Sequence, residues 1–276
     1  MRRRRWVSLP FTDYCPLLCD SEAARDELLG LLRMRAARER VTSVELRTPV
    51  GSTAATQTVV GVLHELPLES DYDAVYRRFH KSRVQGSIRR SQRDAVVVRT
   101  ADCQADVVGT YYELHARTRR RLGVPAQPRR FFRLLWERVI EAGLGFVLLA
   151  HVGNSAVAGA VFLHWNGHLT YKFAASDETY WDRQPNHAIL WEAVRWGCGR
   201  GYRVLDFGRS GLNDHGLRAF KDGWGAAERP LLYTTLVGSR RHSTDSMAEG
   251  ALRRVLRRSP LWVCRGAGEV LYRYAA

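Results

Sequence analysis

The chain has 276 residues, 45% hydrophobic and 26% charged, an ordinary globular composition that excludes collagen-like, disordered and disulfide-scaffold classes. Lys and Arg number 43 against 28 Asp and Glu, a formal charge of +15. That excess creates a positive surface field suited to phosphates, nucleic acid or acidic headgroups, and it says nothing about fold. The start, Met1 to Trp6, is basic but lacks the apolar stretch of a signal peptide. Ser8 to Phe11 reads as a short strand. Ser21 to Arg40 reads as a helix, with Ser21 as N-cap, acids early and arginines late, matching the helix dipole. Ser43 to Arg47 and Gln57 to Leu66 read as strands. Asp71 opens a helix whose Tyr72, Val75, Tyr76 and Phe79 share a face, continuing to Asp94 with a bend expected at Gly86. A strand follows at Val96 to Arg99, then helices at Gln104 to Leu122, stopped by Gly123, and at Arg129 to Ala142. The long apolar run Gly143 to Trp165 is split by Gly153-Asn154-Ser155, so it reads as two strands of a hairpin and not as a membrane span. A third strand runs from His168 to Ala175. Helices at Asn186 to Gly199 and His215 to Asp222 then alternate with strands at Val204 to Phe207 and Leu231 to Val237. This order predicts an α/β chain with a mixed sheet, antiparallel first and crossover-connected later. Arg240 to Ala276 is a basic tail of helix interrupted by Pro260.

Cys15, Cys19, Cys103, Cys198 and Cys264 form no Cys-x-x-Cys pair, which points to a reducing, cytoplasmic compartment. The nine histidines make no His-x-His pair, and no metal site is expected. Two arginine-rich blocks, Arg77 to Arg93 and Arg117 to Arg133, contain no carboxylate. They read either as solvated helix faces or as a phosphate-binding surface, for which the planar arginine fork is suited. The stretch from Tyr202 to Gly225 ends a strand in Asp206-Phe207-Gly208-Arg209 and then carries Phe220-Lys221 and Gly223-Trp224-Gly225 on the next helix. Strand ends where loops diverge are where ligands collect in open sheets. Taken alone, Asp206 reads as a loop cap and Lys221 as a solvent lysine. In the tail, Arg253-Arg254 and Arg257-Arg258 alternate with Leu252, Val255, Leu256, Leu261 and Trp262. Two readings stay open there: a helix docked on the preceding domain, or peripheral contact with an anionic membrane at its inner face.

Several short segments stand in order along nearly the whole chain. They are Ser8-Leu9-Pro10-Phe11-Thr12-Asp13-Tyr14, Phe79-His80-Lys81-Ser82 with Ile88-Arg89-Arg90, Thr118 to Pro125, and Tyr171 to Ser176. Further on come Pro185-Asn186 with Trp191, Asp206 to Ser210, and Phe220-Lys221 with Trp224-Gly225. Together they resemble the FemAB-like branch of the GNAT acyltransferase superfamily. The resemblance implies a GNAT-like fold of two lobes: a partial N-terminal lobe over 1–95, expected to be truncated, a C-terminal acyltransferase lobe over 96–239, and the helical tail over 240–276. It implies transfer of an acyl or aminoacyl group to an amine, in cell-envelope or exopolysaccharide biosynthesis, with acyl-CoA or aminoacyl-tRNA as donor. Lys221 would stabilise the oxyanion, supported by Phe220 and Trp224, and Asp206 would orient the nucleophile or accept its proton. Arg209, Ser210, Asn186 and Lys172 would line the donor or acceptor site, and Arg119 and Arg120 would hold an anionic substrate. Tyr171 and Tyr233 stand either as leaving-group acids or as packed aromatics. The place of the CoA pyrophosphate loop is held by Arg183-Gln184-Pro185-Asn186-His187-Ala188, which lacks glycines and loses an amide at Pro185. The alternative is a degenerate, non-catalytic module that binds tRNA or another polyanion.

Overall fold

The computed structural model describes residues 4–9, 12–51, 55–238 and 247–274. The elements in chain order begin with β1 (Arg5–Val7), α1 (Glu22–Arg38), β2 (Ser43–Leu46), β3 (Thr56–Pro67), α2 (Tyr72–Arg77), α3 (Gly86–Arg93) and β4 (Val97–Thr100). Next come α4 (Tyr112–Leu122), α5 (Arg129–Leu135), β5 (Gly145–Val152), β6 (Ser155–Trp165), β7 (His168–Ser176) and α6 (Pro185–Gly199). The chain ends with β8 (Val204–Ser210), α7 (His215–Gly223), β9 (Ala227–Val237), α8 (Met247–Arg258) and α9 (Leu261–Tyr274). These elements form two compact units. One holds residues 1–64, 209–218 and 228–244, the other 65–208, 219–227 and 245–276.

In the first unit, β1 pairs parallel with β2 and β2 pairs antiparallel with β9, beside which β3 runs. Ser21 caps α1 by accepting a hydrogen bond from Ala24 N. Leu29 and Ala36 of α1 then meet Val41, Val44, Leu46, Val50 and Leu236 in a small core. The first strand falls at Arg5–Val7, ahead of the expected Ser8 to Phe11, of which Pro10 and Phe11 lie outside the described residues.

The second unit is a mixed sheet in the order β8-β7-β6-β5-β4. The pairs from β4 to β7 are antiparallel, and β7 to β8 is parallel. Alternation along β5 sends Phe146, Leu148 and Ala150 to one face and Val147 and Leu149 to the other. The first face is covered by α3 and α6 through Ile88, Ile189, Leu190 and Val194, the second by α4, α5 and α9 through Leu114, Phe132 and Cys264. Three helical stretches widen to π geometry, at Lys81–Gln85, Asp106–Tyr111 and Trp136–Ile140.

The expected bend at Gly86 is corrected. Gly86 is ordinary right-handed helix, and the break comes at His80, which is extended at φ −58°, ψ 123°. His80 N donates to Gly223 O at 2.8 Å, an acceptor outside its own helix, so the ladder is interrupted there. The tail forms the two helices expected around Pro260, with 240–246 outside the described residues. No helix among the described residues is long and apolar enough to cross a membrane.

Candidate active site

The second unit gathers its chemistry where β7 and β8 separate. The two strands pair only at His168 with Val204, Leu169 with Leu205 and Thr170 with Asp206. Beyond that point β7 continues beside β6 as far as Ser176. Along the way Val161 faces Phe173 while Phe162 faces Tyr171, so Lys172 is the extra residue of a β-bulge. A parallel pair that parts in mid-sheet leaves an opening at the carboxyl end of its strands.

Asp206 stands at the parting. Its Oδ1 accepts a hydrogen bond from Gly208 N at 2.7 Å. Gly208 has φ +69°, a left-handed turn that a glycine enters without steric penalty. On the other side of the same residue, Lys221 Nζ of α7 donates to Gly208 O at 2.8 Å. Lys221 is only 3% exposed. An ammonium so deeply placed persists only where polar partners replace water. The two residues expected to be catalytic therefore hold one backbone residue between them.

Behind this turn lies an aromatic cluster. Tyr171 meets Phe207 edge-on at 6.2 Å, Phe207 meets Trp224 at 6.3 Å, and Trp224 stacks on His187 at 5.7 Å. Phe220 closes the group at 5.3 Å from His187. Burial raises the Tyr171 phenol well above its ordinary range, and it lowers His187 to about 4, leaving a neutral imidazole at physiological pH. Phe79 packs edge-on against Trp224 at 5.0 Å, and Arg83 Nη1 donates to Ala219 O. The Phe79-His80 segment and the Phe220 to Gly225 segment, some 140 positions apart in the sequence, thus form one packed unit.

A second node lies at the far end of β7. Ser176 Oγ accepts from Trp181 Nε1 at 2.9 Å and from Asn186 Nδ2 at 3.4 Å. The Ser176 backbone exchanges hydrogen bonds with Thr118 Oγ1, and its carbonyl also accepts from Arg121 Nη1. The guanidinium of Arg121 lies 4.5 Å from the Trp181 ring centre. Here α6 begins, after Gln184 at φ +58° and with Pro185 at its first position. Gln184 N is taken by Trp181 O, Pro185 has no N–H, and His187 N and Ala188 N both donate to Gln184 O. This helix start offers fewer free amides to an anion than an uncapped one does.

The chain matches the acetyltransferase (GNAT) domain family over residues 78–222, just over half of its length. The chain belongs to this GNAT family. As a GNAT protein it is an acyltransferase. Its fold is shared with FemX, at TM-score 0.62 and 14% identity over 78% of this chain and 77% of that one. The C-terminal domain of a putative lysylphosphatidylglycerol synthetase from Agrobacterium fabrum also shares it, at TM-score 0.63 and 12% identity over 93% and 83%. So does L-PGS from Bacillus licheniformis, at 0.60 and 11% over 86% and 80%. At these identities the likeness is one of fold. No curated protein matches the chain by sequence.

Within this GNAT frame the residues expected from the sequence separate into groups. Lys221, Asp206, Phe220 and Trp224 come together around Gly208 and the aromatic cluster. Lys172 sits at the bulge of β7, and Asn186 joins the Ser176 node. Arg209 and Ser210 belong to the first unit, where Arg209 Nη2 donates to Val60 O at 2.7 Å and the buried Ser210 Oγ has no partner among the described residues. Tyr233 is also there, its hydroxyl donating to Asp13 O. Arg119 turns to Pro125 O, and Arg120 shares the last turn of α4 with it, while the link from α4 to the Ser176 node runs through Thr118 and Arg121 instead.

The two arginine blocks lack carboxylates in sequence but not in space. Arg78 pairs with Glu69, Arg83 with Asp222, Arg90 with Asp94, Arg117 with Asp177, Arg121 with Glu178 and Arg129 with Glu113. Ser176 and His187, marked in the sequence only inside longer segments, are the further residues that contact the expected ones. Asn186-His187 at a helix start was the available signal for His187, and for Ser176 it was the Tyr171 to Ser176 segment of the resemblance.

Proposed function

We propose that this GNAT protein is an N-acyltransferase that moves an acyl or aminoacyl group onto an amine acceptor in cell-envelope or exopolysaccharide biosynthesis. Aminoacyl-tRNA is favoured over acyl-CoA as its donor. The observation that carries the reading is the buried Lys221 ammonium fixed on Gly208 O, beside Asp206, where β7 and β8 part. Attack of an amine on an ester or thioester carbonyl builds negative charge on oxygen. A donor already aimed in a dry site stabilises that charge without reorganising. Lys221 carries three N–H donors and meets that requirement, with Phe220 and Trp224 fixing its helix. The attacking amine must first lose a proton, and Asp206, held on the amide of the same Gly208 that Lys221 grips, is the carboxylate we assign to orient or accept it. Lys172 and Asn186 flank the donor or acceptor. The start of α6 supports the choice of donor, because Pro185 and the amides committed to Gln184 O leave little to grip a pyrophosphate. The name of one structural neighbour, a putative lysylphosphatidylglycerol synthetase, supports aminoacyl transfer to an envelope acceptor.

The competing reading is a polyanion-binding module without catalysis. It draws on the arginine blocks, and their internal ion pairs leave less charge for that role. The deciding experiment is a donor panel, aminoacyl-tRNA against acyl-CoA, with the wild-type chain and Lys221→Met. Loss of one oxyanion donor is expected to slow transfer by about 10²–10³. Wild-type turnover by a folded Lys221→Met would remove Lys221 from the chemistry. Turnover with acyl-CoA alone would reverse the assignment of the donor.

A further inference from the structure

The C-terminal helices dock on the second unit along a narrow seam. Leu256 and Cys264 are fully buried, and Arg265 pairs with Glu113. The backbones close up at glycine: a Cβ on Gly268 would lie 1.8 Å from Ala126 O, and one on Gly123 would lie 2.6 Å from Arg253 O. Other residues of both helices face outward. Trp262 is 73% exposed and Val255 60%, and Leu252, Val270 and Leu271 are exposed too. Arg253, Arg254, Arg257 and Arg258 are all exposed, and they line a recess of about 360 Å³ with Gly250. Their spacing of one and four residues puts them on one broad side of α8. No carboxylate interrupts the sequence from Gly250 to Arg258.

We propose that α8 and α9 form a peripheral docking surface for an anionic lipid bilayer. Arg254, Arg257 and Arg258 would bind headgroup phosphates, and Trp262 and Val255 would enter the interfacial layer. A nucleic acid would satisfy the arginines but leave Trp262, Val255, Leu252 and Val270 without a role. A bilayer interface takes both kinds of group, cations at the phosphates and aromatic or aliphatic side chains just below. Docking on the protein and docking on a membrane use different sides of the same helices.

The test is co-sedimentation of the full chain with vesicles of phosphatidylcholine alone and of phosphatidylcholine with phosphatidylglycerol, at low and high salt. Binding is expected only to the anionic vesicles, and weaker at high salt. The triple variant Arg254→Gln, Arg257→Gln, Arg258→Gln should lower partitioning by about a hundredfold, following about 1 kcal/mol per basic residue near an anionic surface. Trp262→Ala should lower it by roughly tenfold at either salt, since its contribution is apolar burial. All four substitutions are at exposed positions, and acyl transfer to a soluble acceptor should continue in both variants. That separates this proposal from the assignment of Lys221. Equal binding to neutral vesicles, wild-type binding by the triple variant, or binding to neither kind of vesicle would overturn it.

Discussion

Lys221 shows how burial changes what a substitution means. From the sequence alone, its replacement by alanine is expected to abolish transfer at almost unchanged melting temperature. The structure adds a cost. Gly208 O would lose its donor in a part-buried place, and an unsatisfied buried acceptor costs up to about 1–3 kcal/mol. Lys221→Ala should therefore lose both turnover and stability, the second read from urea unfolding. An unchanged unfolding midpoint would mean that water reaches Gly208 O. Ser176 is the opposite case, a small side chain whose partners reach solvent. Ser176→Ala frees Trp181 and Asn186 at the start of α6. The expected stability loss is only about 0.5–1.5 kcal/mol. KM for the donor should rise several-fold, about 1 kcal/mol of positioning, while kcat changes less. Steady-state kinetics with wild-type KM would leave Ser176 a purely structural residue.

At the scale of elements, periodicity and caps made most of the fold legible. Ser21 caps α1, Gly123 ends α4 at φ +71°, and the Gly153 turn splits the apolar run into β5 and β6. What was illegible depends on partners distant in sequence. Gly86 was the local candidate for a bend, yet His80 breaks the helix because its amide finds Gly223 O. The arginine blocks looked unopposed because Asp177, Glu178 and Asp222 come from other elements. The site divides in the same way. Asp206 and Lys221 share the stretch from Tyr202 to Gly225, but taken alone they read as a loop cap and a solvent lysine, and only the family resemblance singled them out. The Ser176 node needs α4, β7 and α6 to converge. The packing of α9 is equally non-local, and it gives a prediction. Gly268→Val puts a side chain where a Cβ already lies 1.8 Å from Ala126 O. Overpacking of this kind costs about 1–3 kcal/mol. The loss should fall on α9, so hydrogen exchange should quicken across 261–274 while β5 and β6 stay protected. Uniform loss of protection would show instead that the tail folds as one with the sheet.

For the molecule as a whole, the buried histidines set the response to acid. His115 and His187 are both held near 4 by burial, against an ordinary value of 6.5. His115 shows the reason in atoms: Nε2 lies 2.7 Å from Gln127 Oε1, and Nδ1 is buried without an acceptor for a second proton. Between pH 6.5 and 4 the unfolded chain binds more protons at these positions than the folded one. Stability from them is therefore complete above about pH 6.5 and declines as pH falls toward 4. Together they should account for a few kcal/mol, on the order of one pKa unit per 1.4 kcal/mol for each. Asp177, held low by the Thr179 amide, and Glu228, held low by Arg218, add a loss of the same sign only further into acid. The two contributions separate in the double variant His115→Gln, His187→Phe. The glutamine can still donate to Gln127, and the phenyl ring keeps the stack on Trp224. Unfolding free energies at pH 7 and pH 4.5 should differ steeply in the wild type and much less in the variant. Equal slopes would mean that both imidazoles already exchange protons with solvent in the native state, and that the packing around Trp224 opens on the timescale of titration.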